Sequence, residues 1–284
     1  MPLPKFDYLK PKTVQEAVGM LAEHDGEARV LAGGTDLLVL MRDRAIRPRY
    51  LIDVKGIGEL REISHGENGL RIGAAVVLNQ LVESNVVKER FGALWDASRS
   101  LGDPILRNRA TLVGNICNAS PASDTAPALL VHGAEVEVAN SAGERVIPVK
   151  DFFVGVKRTS LRPGDLVKAV RVPNPPEGSM SCYLKWGRTR GEDLAVVGVA
   201  GLVNPDQKMV RIALSSVAPT PLLIPEVEEV FWKGGTLAEQ INKAASIVAG
   251  KISPISDVRA SKEYRVHMAE VLTKRVLRQL WGVG

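Results

Sequence analysis

The run Pro173-Asn174-Pro175-Pro176-Glu177-Gly178 constrains this chain more than any other feature. Proline fixes φ and lacks the backbone N–H, so neither a helix nor a strand ladder continues through such a run. It predicts a domain boundary. Short strands mix with short helices before it; after it the pattern is β-rich and then helical, which makes the expected class α+β. A length of 284 residues is enough for two or three units with cores of their own.

Upstream, Thr13-Val14-Gln15-Glu16 is a capping-box pattern ahead of an amphipathic stripe, Val14, Ala17, Val18 and Leu21. A strand is expected over Arg29–Ala32, then a helix over Thr35–Met41 capped by Thr35, then a strand over Tyr50–Val54. The Gly56-Ile57-Gly58 turn closes this first unit, residues 1–55. Residues 56–175 carry strands at Glu62–Ser64, Leu70–Ala74, Glu135–Ala139 and Leu166–Val172, with helices at Val77–Ser84 and Asp124–Val131. Residues 176–284 open with three β-rich runs, Ser179–Trp186, Leu194–Val203 and Lys208–Val217, expected as a three-stranded antiparallel sheet. Two helices follow, one from the capping box Thr236-Leu237-Ala238-Glu239 and one over Ser261–Trp281.

Composition excludes several classes. Only Cys117 and Cys182 occur, without a CxxC pair, so a disulfide scaffold, a zinc site or an iron–sulfur cluster held by this chain alone is not expected. The longest apolar run, Leu194–Val203, is far short of the roughly 20 residues of a membrane span. Met1–Lys10 carries Lys5, Asp7 and Lys10 and no apolar h-region, so a cytoplasmic protein is expected. The net charge of +5 comes from bases interleaved with acids, as in Lys88-Glu89-Arg90, which reads as a solvated surface and not a nucleic-acid footprint.

Two segments can carry chemistry. In Val30-Leu31-Ala32-Gly33-Gly34-Thr35-Asp36, glycines would let backbone N–H groups approach an anion, while the plain alternative is a glycine turn with Thr35 as a cap. Thr111-Leu112-Val113-Gly114-Asn115-Ile116-Cys117-Asn118-Ala119-Ser120-Pro121-Ala122-Ser123-Asp124 offers small side chains with many donors and acceptors, suited to an extended ligand or to a self-satisfied loop. G-x-G-x-x-G and P-loop patterns are missing, Asp53 alone makes a weak Rossmann acid, and His24, His65, His132 and His267 are isolated. A nucleotide-like surface without an acid, base or nucleophile suits a protein whose cofactor does the chemistry.

Taken together, AGGTDLL at Ala32–Leu38 and TLVGNICNASPASD at Thr111–Asp124 resemble the FAD-binding medium subunit of the molybdenum hydroxylases, the family of xanthine and aerobic carbon monoxide dehydrogenases. Phe6-Asp7-Tyr8, Ile52-Asp53, Pro104-Ile105-Leu106-Arg107-Asn108-Arg109, Gly164-Asp165-Leu166-Val167, Leu184-Lys185, Glu192-Asp193-Leu194-Ala195 and Ala260-Ser261-x-Glu263-Tyr264-Arg265 extend the likeness over nearly the whole chain. The resemblance implies a vanillyl-alcohol-oxidase-like FAD-binding fold of two α+β subdomains followed by a C-terminal domain.

By the same resemblance, Ala32, Gly33, Gly34, Thr35 and Asp36 would cradle the FAD pyrophosphate, with Val30 and Leu31 entering the turn. Thr111, Gly114 and Asn115 would form a second wall, and Asp124 would reach the adenosine ribose. Leu166 would lie against the nucleotide end, Lys185 would contact the flavin, and Leu101 and Leu194 would lie near its ring. Val113 stands where the family has the first glycine of T-x-G-G-N, and Leu194 where some members have tyrosine. Gly33→Val or Gly114→Val is expected to strip FAD and leave the fold intact. No catalytic side chain and no metal ligand is expected in this chain. The implied partners are a small subunit with two 2Fe-2S clusters and a large molybdenum-cofactor subunit, in a dimer of heterotrimers serving an external electron acceptor. The rival readings are a free-standing flavin oxidoreductase and a cofactor-free assembly factor of the same fold.

Overall fold

The computed structural model describes residues 2–189 and 192–283; Met1 and Gly284, at the ends of the expected outer units, and Arg190 and Gly191 lie outside them. Among the described residues, three sheets of three or more strands succeed one another along the chain, with a two-stranded hairpin besides. The first is parallel, with β1 (Asp7–Leu9) and β2 (Ala28–Leu31) flanking β3 (Tyr50–Asp53). Its cover helix, Val14–Glu23, begins where the Thr13 hydroxyl accepts the Glu16 N–H at 3.1 Å, and it buries Val14, Ala17, Val18 and Leu21.

The second sheet is antiparallel and contains β4 (Ile63–Gly66), β5 (Gly69–Gly73), β6 (Glu135–Asn140) and β7 (Gly143–Pro148). After a small hairpin of β8 (Phe153–Gly155) and β9 (Arg158–Thr159), the chain returns as β10 (Leu166–Val172) to the middle of that sheet, between β5 and β6. The third sheet follows the proline run, with β11 (Met180–Trp186), β12 (Val197–Asn204), β13 (Met209–Ser215) and β14 (Leu222–Leu223) in sequential antiparallel order.

Every residue of β12 is buried, which an antiparallel strand shows only when both faces of its sheet are covered. The helix Lys262–Leu280 covers one face, so closely that a Cβ on Gly201 would fall 2.5 Å from Val276 and 2.9 Å from Leu280. The helix Thr125–His132 covers the other. Strand alternation therefore divides β11 between two cores: Cys182 and Leu184 join the outer one, and Tyr183 joins the core that runs back to Val14. Each fully buried valine or leucine in these layers contributes roughly 1.5–3 kcal/mol.

Several expectations change. The helix after the glycine turn spans Leu37–Arg42, not Thr35–Met41, and no side chain caps it. The C-terminal sheet has four strands, not three; Leu222–Leu223 sits among Pro219, Pro221 and Pro225, which read as turn signals, and pairs at an edge where prolines are tolerated. The helices Gly92–Ser100 and Leu112–Cys117 and the strand Gly143–Pro148 lay outside the sequence reading.

Candidate functional site

The glycine turn leaves the first sheet from Leu31, which pairs with Asp53. Gly33 packs against the backbone of the middle unit, where a Cβ would stand 2.1 Å from the carbonyl oxygen of Arg109. Gly34 has φ +77°, the left-handed region. Among the described residues, the N–H groups of Gly33, Gly34, Thr35 and Asp36 donate to no other group of the chain. Four consecutive unused donors on a partly exposed turn form a cradle for anionic oxygens. The Asp36 carboxylate is turned aside. It accepts from Asn118 Nδ2 at 2.7 Å, and Asn118 Oδ1 accepts from Lys157 Nζ at 2.8 Å. Burial raises the Asp36 carboxyl above the usual range, with Lys157 and the Asn118 bond opposing.

The second segment uses its polar groups internally. Thr111 Oγ1 accepts the Gly114 N–H at 2.9 Å and starts the helix Leu112–Cys117, and a Cβ on Gly114 would meet that oxygen at 2.8 Å. Val113 points into the core, so its Cβ does not face the turn's open side. Asn115 Oδ1 accepts from Ser123 Oγ at 2.6 Å and Thr125 Oγ1 at 2.7 Å. Burial pushes the Cys117 thiol up to about 12, which removes thiolate chemistry.

Asp124 differs most from expectation. Its side chain is only 6% exposed, and its two oxygens accept from Tyr183 Oη at 2.7 Å and Lys185 Nζ at 2.9 Å. The structure gives it two inward partners that the sequence reading did not include. Burial pushes its carboxyl up, opposed by the charge and hydrogen bond of Lys185 and by the bond from Tyr183. Lys185 Nζ also donates to the Ser100 carbonyl at 3.1 Å, which places it beside Leu101. Leu194, 57% exposed, precedes the Val196 N–H that bonds Trp186 O at 2.8 Å, so it lies near the same end of β11. Leu166 is buried in β10 opposite Ala139. Val30 is paired in β2 with Ile52.

Contacts tie five of the expected residues into their surroundings: Gly33 to Arg109, Asp36 to Asn118, Asn115 to Thr125, and Asp124 to Lys185 and on to Ser100. Leu166 and Leu194 have no such bond to the rest. Tyr183, Lys157 and the Arg109 carbonyl are among the neighbours outside the expected set. Tyr183 shares a strand face with Lys185, so an i, i+2 reading could have found it; the Arg109 carbonyl and Lys157 carry no local signal. Among the described residues, no group of three or more His, Cys, Asp or Glu could hold a metal ion, and no helix is long and apolar enough to cross a membrane.

Comparison with known proteins agrees with this geometry. Residues 4–175 match the profile described as the FAD binding domain in molybdopterin dehydrogenase. The chain belongs to that family. Residues 182–280 match the CO dehydrogenase flavoprotein C-terminal domain, so the two profiles meet around the proline run. The carbon monoxide dehydrogenase medium chain of Hydrogenophaga pseudoflava is 33% identical, with 98% of each chain covered. The xanthine dehydrogenase FAD-binding subunit of Escherichia coli O157:H7 is 31% identical over 96% of this chain and 94% of that one. A solved carbon monoxide dehydrogenase from H. pseudoflava, lacking the Mo-pyranopterin moiety of its molybdenum cofactor, superposes with TM-score 0.95 over 99% of both chains. Quinoline 2-oxidoreductase from Pseudomonas putida 86 gives 0.91 at 28% identity, over 99% of this chain and 98% of that one. This molybdopterin-dehydrogenase flavoprotein is thus a medium-type oxidoreductase subunit with an FAD-binding domain. Its free turn donors, the cation on Lys185 and the apolar Leu101 and Leu194 fit a dinucleotide with a flat ring.

Proposed function

We propose that this chain places FAD between an iron–sulfur partner and an external acceptor such as NAD, a quinone, a carrier protein or dioxygen. The observation that carries the reading is the turn at Gly33–Asp36, whose four backbone donors have no acceptor among the described residues. Gly33, Gly34, Thr35 and Asp36 would hold the pyrophosphate through these N–H groups, with Val30, Leu31 and Ala32 fixing the approach. Thr111, Gly114 and Asn115 form the second wall, and Leu166 backs it. Leu101 and Leu194 would exclude water from the ring, and Lys185 would supply the cation beside it. Asp124 serves by holding Lys185. When bound, FAD supplies the step between one-electron donors and two-electron acceptors. No side chain need act as acid or base.

We further propose three units, 1–55, 56–175 and 176–284, and a cytoplasmic dimer of heterotrimers with a small 2Fe-2S subunit and a large molybdenum-cofactor subunit. Purification of the native protein with its associated chains tests this. The expected result is flavin, iron and molybdenum in one complex of three chain types, and FAD-dependent thermal stabilisation of this chain alone. A chain with neither flavin absorbance nor any thermal response to FAD overturns the reading.

A further inference from the structure

The segment Arg99–Gly102, which carries Leu101, has four consecutive carbonyl oxygens, and each accepts from a cationic side chain. Arg107 Nη1 donates to the carbonyls of Arg99 at 2.9 Å, Leu101 at 3.3 Å and Gly102 at 2.9 Å. Lys185 Nζ takes the remaining one, Ser100, from the opposite unit at 3.1 Å. Arg107 is 8% exposed, and its Nε donates to Asn79 Oδ1 at 3.0 Å. Its location explains how a buried guanidinium is tolerated. The segment lies at the C-terminal end of the helix Gly92–Ser100, where unpaired carbonyls and the negative end of the dipole favour a cation.

Lys185 has a carboxylate partner in Asp124, but Arg107 pairs with none among the described residues. Asp103, at the head of its own short helix, accepts the Leu106 N–H at 2.6 Å instead. The turn also has little freedom to relax. Gly102 has φ +53°, and a Cβ there would fall 2.4 Å from the Leu106 side chain. Two cations on opposite sides thus fix the backbone on which Leu101 is mounted, and one of them, Arg107, has a nearby acid in Asp103 but forms no ion pair among the described residues.

We infer that Arg107 is a positioning residue for the cofactor: it clamps the Arg99–Gly102 turn against Lys185, fixing Leu101 and setting a positive charge behind it. This rests on the proposed placement of Leu101 and Lys185 at the flavin. A fixed cation favours the electron-rich state of a nearby ring, so Arg107 raises the flavin's potential as well as its affinity. It acts independently of the Gly33–Asp36 cradle, which it does not touch.

The test uses the full purified chain, comparing wild type with Arg107→Met, Arg107→Lys and Asn79→Ala. FAD affinity is read by flavin fluorescence, potential by equilibration with redox dyes, ring environment by visible circular dichroism, and stability by urea unfolding. Arg107→Met is expected to weaken FAD binding by about ten-fold or more, to lower the midpoint potential and to alter the flavin dichroism. Arg107→Lys keeps the charge and restores the potential more fully than the affinity. Asn79→Ala removes the Nε acceptor, leaves the three carbonyl bonds in place, and shifts affinity and dichroism in the same direction by less. It decides the matter if Arg107→Met does not fold. A lower urea midpoint with wild-type affinity, potential and dichroism makes Arg107 a helix cap only and overturns the inference. A wild-type chain that binds no FAD overturns the proposed function first, and this inference with it.

Discussion

The two glycine-bearing segments look alike in sequence and serve opposite ends in the structure. Ala32–Asp36 leaves its backbone donors unused and turns its one carboxylate away to Asn118. Thr111–Asp124 engages its polar side chains inside the protein, through Thr111 to Gly114, Asn115 to Ser123 and Thr125, and Asp124 to Tyr183 and Lys185. The first keeps free donors on a partly exposed turn, and the second spends its polar groups on internal structure. Density of polar residues is therefore no measure of ligand contact; what matters is which groups remain unpaired.

The largest test of that internal structure is Lys185→Met. It leaves the Asp124 carboxylate buried beside Tyr183 without its counter-charge, and should cost roughly 3–5 kcal/mol in chemical denaturation at pH 7. Asp124 already has a raised carboxyl, and losing Lys185 removes the largest opposing influence and raises it further. A group raised in the folded state is stabilising when protonated, and that stabilisation is lost as pH rises through its folded value. The penalty should accordingly shrink as pH falls from 7 towards 5. A penalty constant with pH would show that Asp124 is not the residue left exposed to the change.

The glycines separate the segments next. The expectation that Gly33→Val spares the fold does not survive the 2.1 Å approach to the Arg109 carbonyl, because backbone cannot swing away as a side chain can. Gly33→Val should cost about 3 kcal/mol and lose FAD together with stability. Gly114→Ala meets only the Thr111 hydroxyl, which can rotate, and should cost no more than about 1 kcal/mol by urea unfolding. Equal losses would erase the distinction drawn above. Thr111→Val, which removes the cap and adds no bulk, should likewise cost about 1 kcal/mol and leave FAD affinity within two-fold, roughly the size of a lost N-cap.

The smallest effect belongs to Asp36→Asn. It removes a negative charge beside the free donors while keeping an acceptor for Asn118, and should tighten FAD binding a few-fold at low salt, less at high salt. Because burial raises the Asp36 carboxyl, wild-type affinity should rise as pH falls and Asp36 becomes neutral. The variant should lose that slope in a fluorescence titration.

What could be read in advance followed locality. Leu166–Val172 was legible at both ends because its valine-rich composition and the flanking Gly164 and Pro173 signals are local. The Thr236 capping box was legible as well, and both of its bonds are present. The Leu112–Cys117 helix was not, since its glycine and asparagine are poor helix formers and its stability comes from buried Leu112, Val113 and Ile116. Gly33 carries a second demand with no local signal: its missing side chain accommodates the Arg109 carbonyl, a neighbour that only the tertiary fold supplies. The internal partners of Asp124, Tyr183 and Lys185, were not legible because they lie across the proline run.

The Asp124–Lys185 bond has a consequence in time. Synthesis delivers residues 1–175 first, and at that stage the second glycine segment is complete in sequence but its carboxylate has no counter-ion. The Asp124–Lys185 pair forms only when β11 has been made, has paired with β12 and has been laid against the helix Gly92–Ser100. With Lys185 at the flavin as proposed, cofactor retention is a late event in the life of the chain, and a nascent chain arrested before Met180 should release FAD that the finished protein keeps.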